Sequence, residues 1–297
     1  MREVQELTHA RLEPVIVGFQ GLFTARTTGM DALDVRYQLG EVELRMLAAH
    51  RPRPADLMLL AALVALAGPA GRQPVEATDG GLIGALEAQP VEAAQGSIIV
   101  RTTRARLLSE CGLTDAGTTR EQLRESLTRL ASLTAIARRA RQEVSMHLLS
   151  YTSDEDTGEL VVALSPRLAN AIFGGRHVRL ELREMRELGE HARVLYARLC
   201  AWINPCASRP RRIGLAALVG YLWPEDTQLA AAGRRKRRHL TRRAMAELSA
   251  LAGWRVWADA RGVQYTITRP AVVSRTPAVE SGTPAVVSRT RESTISA

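Results

Sequence analysis

Seven of the ten residues from Arg234 to Arg243 are basic and none is acidic. Such groups are suited to holding a polyanion, because a planar guanidinium matches phosphate oxygens and guanine edges. Leu240, Ala244, Leu248 and Leu251 recur at helical spacing and share one face. Arg235, Arg238 and Arg242 fall on the opposite face, where they can enter a DNA groove together. Arg234, Lys236, Arg237 and Arg243 flank them and suit phosphates. Positive charge in a first helical turn opposes the helix dipole by about 0.3–1 kcal/mol per charge. The repulsion is relieved by a bound polyanion, so double-stranded DNA is the expected partner. A merely solvated charged face is the competing reading, and the absence of any acid in the run argues against it.

Further basic residues stand near this helix in sequence. Arg255 and Arg261 lie in a following hairpin, and Arg209, Arg211 and Arg212 precede a short helix. Trp254 and Trp257 read as core residues rather than stacking platforms. An earlier helix, about 119–131, has an apolar seam of Leu123, Leu127 and Leu130. Its other face presents Gln122, Glu125, Thr128 and Arg129, with Arg120 and Arg124 beside it. Arg101, Arg104 and Arg106, with Arg138, Arg139 and Arg141, add positive charge. This earlier face is expected to bind DNA more weakly, or to serve self-association.

Catalytic readings lack their ligands. Asp154, Glu155, Asp156 and Glu159 could form a two-metal cluster of the primase or nuclease kind. The nearby Gly158 and flanking strands favour a plain hairpin turn. No GxxxxGK[ST] loop occurs, the six histidines show neither His-x-His nor HExxH spacing, and no nucleophile elbow is present. No catalytic residue, metal or cofactor is therefore expected.

These residues need elements to position them, and 297 residues suffice for two domains. The net charge of +9 agrees with a polyanionic partner. Lys236 is the only lysine, a bias that a GC-rich coding sequence explains. The three cysteines, Cys111, Cys200 and Cys206, lack metal spacing, and Cys200 reads as core. The N-terminus lacks a signal-peptide pattern. The longest apolar stretch, Leu57–Ala67, is shorter than the ~20 residues a bilayer span needs, so a cytoplasmic location is expected.

Residues 1–33 read as a loosely ordered arm. Strands are predicted at Asp34–Leu39 and Val42–Leu47, a helix at Ala55–Ala67, a loop over 70–95, and a strand at Ser97–Val100. Helices follow near Thr103–Cys111 and Thr119–Ala131, the latter with a Thr118/Glu121 capping box. Leu133–Arg138 and Val144–Tyr151 read as paired strands, with Leu160–Leu164 as a third. Pro166–Phe173 is a short helix and His177–Leu182 an extended join. Glu190–Ile203 forms a helix with Ala192, Leu195, Leu199 and Trp202 at core spacing. Ile213–Trp223 holds a second helix, Arg234–Leu251 the basic one, and Trp254–Ala258 with Val263–Thr268 a hairpin. Three helices and a hairpin thus occur twice in the same order. The expected fold is α+β and helix-rich, with two tandem winged-helix domains of pseudo-twofold similarity. Their expected bounds are 34–176 and 177–269. A disordered tail, 270–297, repeats PAVVSRT, PAVESGT and PAVVSRT.

Several ordered segments resemble the RepC family, the iteron-binding replication initiators of IncQ-type plasmids. They are Leu33–Leu39 (LDVRYQL), Ala55–Gly71 (ADLMLLAALVALAGPAG), Leu148–Pro166 (LLSYTSDEDTGELVVALSP), Gly174–Arg179 (GGRHVR), Ala192–Ile203 (ARVLYARLCAWI), Gly220–Pro224 (GYLWP), Arg235–Arg238 (RKRR) and Tyr265–Pro270 (YTITRP). The resemblance spans nearly the whole chain to Pro270; residues 72–95 and the repeat tail depart from it. It implies two winged helices that bind tandem iterons at a vegetative origin and help open adjacent AT-rich DNA. The plasmid's helicase and primase would then load there. It also implies regulation through a dimer. A winged-helix transcriptional regulator is the alternative on the same physics, and a metal-dependent primase using Asp154 and Asp156 is the second.

Overall fold

The computed structural model describes residues 7–25, 32–68, 98–172, 175–205, 207, 209–224 and 230–271. All of the expected loop over 70–95, and the repeat tail beyond Ala271, lie outside them. The described residues build an α+β fold in which one winged-helix arrangement occurs twice.

The first copy opens with α2 (Pro54–Leu66), which follows directly on β2 (Leu33–Leu39) and β3 (Val42–Ala48). Eleven residues from Pro54 to Ala65 are buried, Asp56 included. A helix apolar all round has no solvent face, so it must sit at the centre. β4 (Ile98–Thr103), α3 (Arg104–Glu110) and α4 (Gly117–Ala131) follow. β5 (Thr134–Arg139) and β6 (Gln142–His147) then form a hairpin, and β7 (Leu149–Ser153) and β8 (Glu159–Leu164) a second one. Only the second hairpin is the wing, in a sheet ordered β4-β8-β7. The first adds to β2 and β3 in a separate sheet, β2-β3-β5-β6. This corrects the sequence expectation, which read Val144–Tyr151 as one strand across both hairpins.

α5 (Pro166–Ile172), β9 (Val178–Glu181) and α6 (Leu182–Glu187) lead to the second copy. It comprises α7 (Glu190–Trp202), β10 (Arg211–Gly214), α8 (Leu215–Leu222), α9 (Ala231–Ala250), β11 (Arg255–Ala258) and β12 (Gln264–Thr268). Its sheet order, β10-β12-β11, repeats that of the first copy. The correspondence reaches single hydrogen bonds. Arg104 N–H donates to the Gly158 carbonyl at 3.0 Å, and Leu215 N–H to Val263 at 2.8 Å. Asp154 N–H donates to Glu159 at 2.9 Å, and Asp259 N–H to Gln264 at 2.8 Å. Both wings also turn on an aspartate side chain. Asp154 Oδ1 accepts from Asp156 and Thr157, and Asp259 Oδ1 from Val263 and Gln264. These donors hold both carboxyls below the usual carboxylate range.

The N-terminal segment is no loose arm over its described part. β1 (His9–Leu12) pairs antiparallel with β9, and Ala10 and Leu12 are fully buried. α1 (Pro14–Gly18) packs on α7. One continuous apolar cluster runs through both copies, with α2 and α7 in contact. Arg186 ties the copies further, donating to the Glu110 carboxylate at 2.8 Å and to its carbonyl at 2.9 Å. Buried Arg269 caps α7 by donating to the Cys200 carbonyl at 2.9 Å, and reaches Arg179 of β9 at 2.7 Å. Cys200 is core as expected, and burial pushes its thiol up to about 12. Trp202 is not core: it is 38% exposed, because its position ends α7.

Candidate nucleic-acid interface

α9 starts three residues earlier than expected and is fixed to the fold by one face. Thr241, Ala244, Met245 and Leu248 are buried at helical spacing, with Leu240 half-buried beside them. Thr241 hides its hydroxyl by donating to the Arg237 carbonyl at 2.9 Å. The first turn contains no acid. Arg235, Lys236 and Arg238 are exposed, and their side chains make no hydrogen bond or ion pair among the described residues. Arg242 is exposed and leans toward the wing, its Nη2 3.5 Å from the Gly262 carbonyl, too long to hold it. Arg261 stands exposed in that same turn. The helix and wing tip therefore present a continuous basic surface.

The flanking basic residues differ in their surroundings. Arg243 pairs with Glu247 at 3.4 Å and remains mostly exposed. Arg234 is exposed but has an interaction of its own. Arg237 is half-buried with its guanidinium 5.1 Å from the centre of the Trp223 ring. The Trp223 ring thus holds Arg237 against the fold, unlike the solvent-facing arginines beside it. Arg211 lies 6.0 Å from the Trp202 ring centre, whereas Arg212 and Arg255 are exposed on the outer face of the three-stranded sheet.

The face of α4 has another character. Gln122, Arg124, Thr128 and Arg120 are exposed as expected, but acids meet the arginines. Arg120 Nε donates to Asp115 at 2.6 Å, and this bond lowers the aspartate's pKa. Arg124 lies 3.4 Å from Glu155 of the wing, and Arg104 donates to the Glu155 carbonyl at 2.6 Å. Thr128 Oγ1 lies 3.1 Å from the Tyr151 hydroxyl. Arg129 is corrected outright: only 8% exposed, it grips fully buried Asp56 through two 2.9 Å bonds and so turns inward. The Thr118/Glu121 capping box is also corrected. The helix begins at Gly117, and the Thr119 hydroxyl accepts the Ala116 N–H at 3.0 Å.

The structure adds residues that the sequence reading passed over. His50, Arg51 and Arg53, just before α2, line a cleft of about 600 Å³ together with Glu121, Arg124 and Glu125 of α4. Arginines alternating with prolines in Arg51-Pro52-Arg53-Pro54 at the helix start were the available signal. In the acidic turn at 154–159, Asp154 Oδ1 accepts from the Asp156 and Thr157 backbone N–H groups, as a hairpin turn requires. No cluster of three or more potential metal ligands occurs among the described residues. No described helix is long and apolar enough to cross a membrane.

Comparison with known proteins gives a family and a fold. The family profile of Replication protein C (RepC) matches residues 4–271. No curated protein matches. Among solved structures, domains 2 and 3 of RctB align at 14% identity with a TM-score of 0.53, covering 88% of this chain and 99% of that one. A second structure of the RctB domains 2-3 aligns at 12% identity and a TM-score of 0.50, covering 87% and 97%. At these identities the likeness concerns the fold alone.

Proposed function

The chain belongs to the replication protein C (RepC) family, and on that premise we propose that it is a plasmid replication initiator that binds tandem iterons at a vegetative origin. The observation that carries this reading is the surface of α9, where Arg235, Lys236 and Arg238 face solvent without a protein partner among the described residues. Arg235, Arg238 and Arg242 enter the major groove, while Lys236, Arg234, Arg243 and Arg261 hold phosphates on either side. The unit 177–269 is the stronger reader. The unit 34–176 adds a weaker contact through Arg104, Arg120, Gln122, Arg124 and Thr128, where acids already offset much of the charge.

The mechanism is physical work on DNA without covalent chemistry. Phosphate contacts supply affinity, base contacts set register, and copies on adjacent iterons strain the duplex until the AT-rich segment opens. The plasmid helicase and primase then load in the cytoplasm. Two helices reading one face of the duplex need their sites about one helical turn apart.

Arg238→Ala and Arg242→Ala test the assignment on matched and scrambled repeats. A residue that reads a base costs about 1–3 kcal/mol on the matched repeat alone. A phosphate contact weakens both duplexes evenly. Unchanged affinity of both variants on both duplexes refutes the role of α9.

A further inference from the structure

Trp257 breaks the burial logic of the fold. It is 48% exposed, its side chain has no ring contact or hydrogen bond among the described residues, and it lies in the middle of β11. The sequence expectation of a core residue is therefore wrong for Trp257, while Trp254, 5% exposed, is core.

Strand register shows what surrounds it. Trp257 is the direct partner of Thr266, and Thr266 of Arg212, so these three form one row across the sheet. The row is about 10 Å wide. Arg255 and its partner Thr268 form the next row on the same face. The opposite face holds Ile213, Tyr265 and Ile267, all buried in the core. β10, β11 and β12 contain three arginines and no acid.

The first winged helix provides an internal control. Its matching row is Arg101, Val161 and Thr152. The arginine recurs, but a threonine stands where Trp257 does. The fold thus has no need of an aromatic side chain there. An exposed ring among arginines and hydroxyls fits a strand with unstacked bases, since a base stacks on the ring while the phosphates meet guanidinium groups. Duplex DNA hides its base faces and cannot use such a ring without unstacking.

We infer that the outer face of the β10-β12-β11 sheet binds single-stranded DNA, with Trp257 as the stacking platform and Arg212 and Arg255 as phosphate contacts. This rests on the reading of the chain as an initiator. It adds a site for one strand of the opened DNA, separate from the duplex surface of α9.

The test uses the full chain and fluorescence anisotropy with a 15-nucleotide oligo-dT, an abasic strand of equal length, and a duplex repeat. The wild type is expected to prefer oligo-dT over the abasic strand. Trp257→Ala should weaken oligo-dT binding roughly tenfold and erase that preference, whereas Trp257→Phe should retain most of it. Duplex affinity should be unchanged in both variants. Equal binding of oligo-dT and the abasic strand by the wild type overturns the inference, as does Trp257→Ala binding oligo-dT normally. Equal loss on duplex and oligo-dT overturns it as well, since Trp257 would then serve a shared surface or the fold. Failure of the wild type to bind the duplex repeat would instead count against the proposed function.

Discussion

Replacing Arg129 by Met should cost stability while sparing DNA binding. Asp56 is fully buried and takes both of its 2.9 Å bonds from Arg129; the Arg53 N–H donates to it as well, at 2.7 Å. The variant strands a buried carboxylate, a class of change that costs about 3–5 kcal/mol. For a chain of this size each kcal/mol lowers Tm by about 2–4 °C. The expected drop is about 6–20 °C on these two scales. The double variant Asp56→Leu/Arg129→Met removes both charges and should recover most of the loss, because a well-packed apolar pair often replaces a buried ion pair without penalty. Thermal melts by circular dichroism, paired with duplex anisotropy below the melting range, read both effects. An unchanged Tm together with weakened DNA binding would refute the reasoning and return Arg129 to the interface.

Two other variants probe the first winged helix and the acid response. Glu155→Gln frees Arg124 from its 3.4 Å partner. Duplex affinity at low salt should rise about twofold to fivefold, the range of one exposed pair; no change would place this face away from DNA. Burial lowers the pKa of His191 below its ordinary value of 6.5, with Glu190 and Glu247 opposing the effect and Arg243 adding to it. A lowered histidine pKa means the folded state binds fewer protons than the unfolded one. His191 therefore supports the fold fully above pH 6.5 and loses that support as pH falls toward its folded value. His191→Phe, which keeps a ring beside Trp223, should lose less stability than wild type between pH 7.5 and 5 in urea titrations. Half-buried His9 shifts in the same direction, so part of the slope should persist. Identical slopes would contradict the role of His191.

The legible parts of this chain were those set by local pattern. The helical spacing of the apolar residues in α9 predicted its buried side, and aspartate-to-glycine turns marked both wings. What escaped depended on distant partners. β1 pairs with β9, roughly 170 residues away, and local alternation gives no hint of that pairing. The β5–β6 hairpin reads like a wing in isolation, but joins β2–β3 because β3 pairs with β5. Arg129 lies at the edge of the helical seam, and only a carboxylate on α2, 73 residues earlier, turns it inward. Trp257 alternates with Val256 and Ala258, so either pleat of β11 could have been the buried one. The α9 residues were legible as a candidate site because repulsion within a basic run is a local property. The contribution of residues 50–53 to the cleft beside α4 needed the fold.

The salt dependence of duplex binding examines the role of α9 most directly. Affinity of the wild type and of the Arg235→Gln/Lys236→Gln/Arg238→Gln variant should be measured on the same tandem repeats across a range of salt. If these three cations meet phosphates and bases, the log–log slope should become shallower by about 2–3 in the variant. A variant with the wild-type slope and affinity would show that DNA does not lie on this helix.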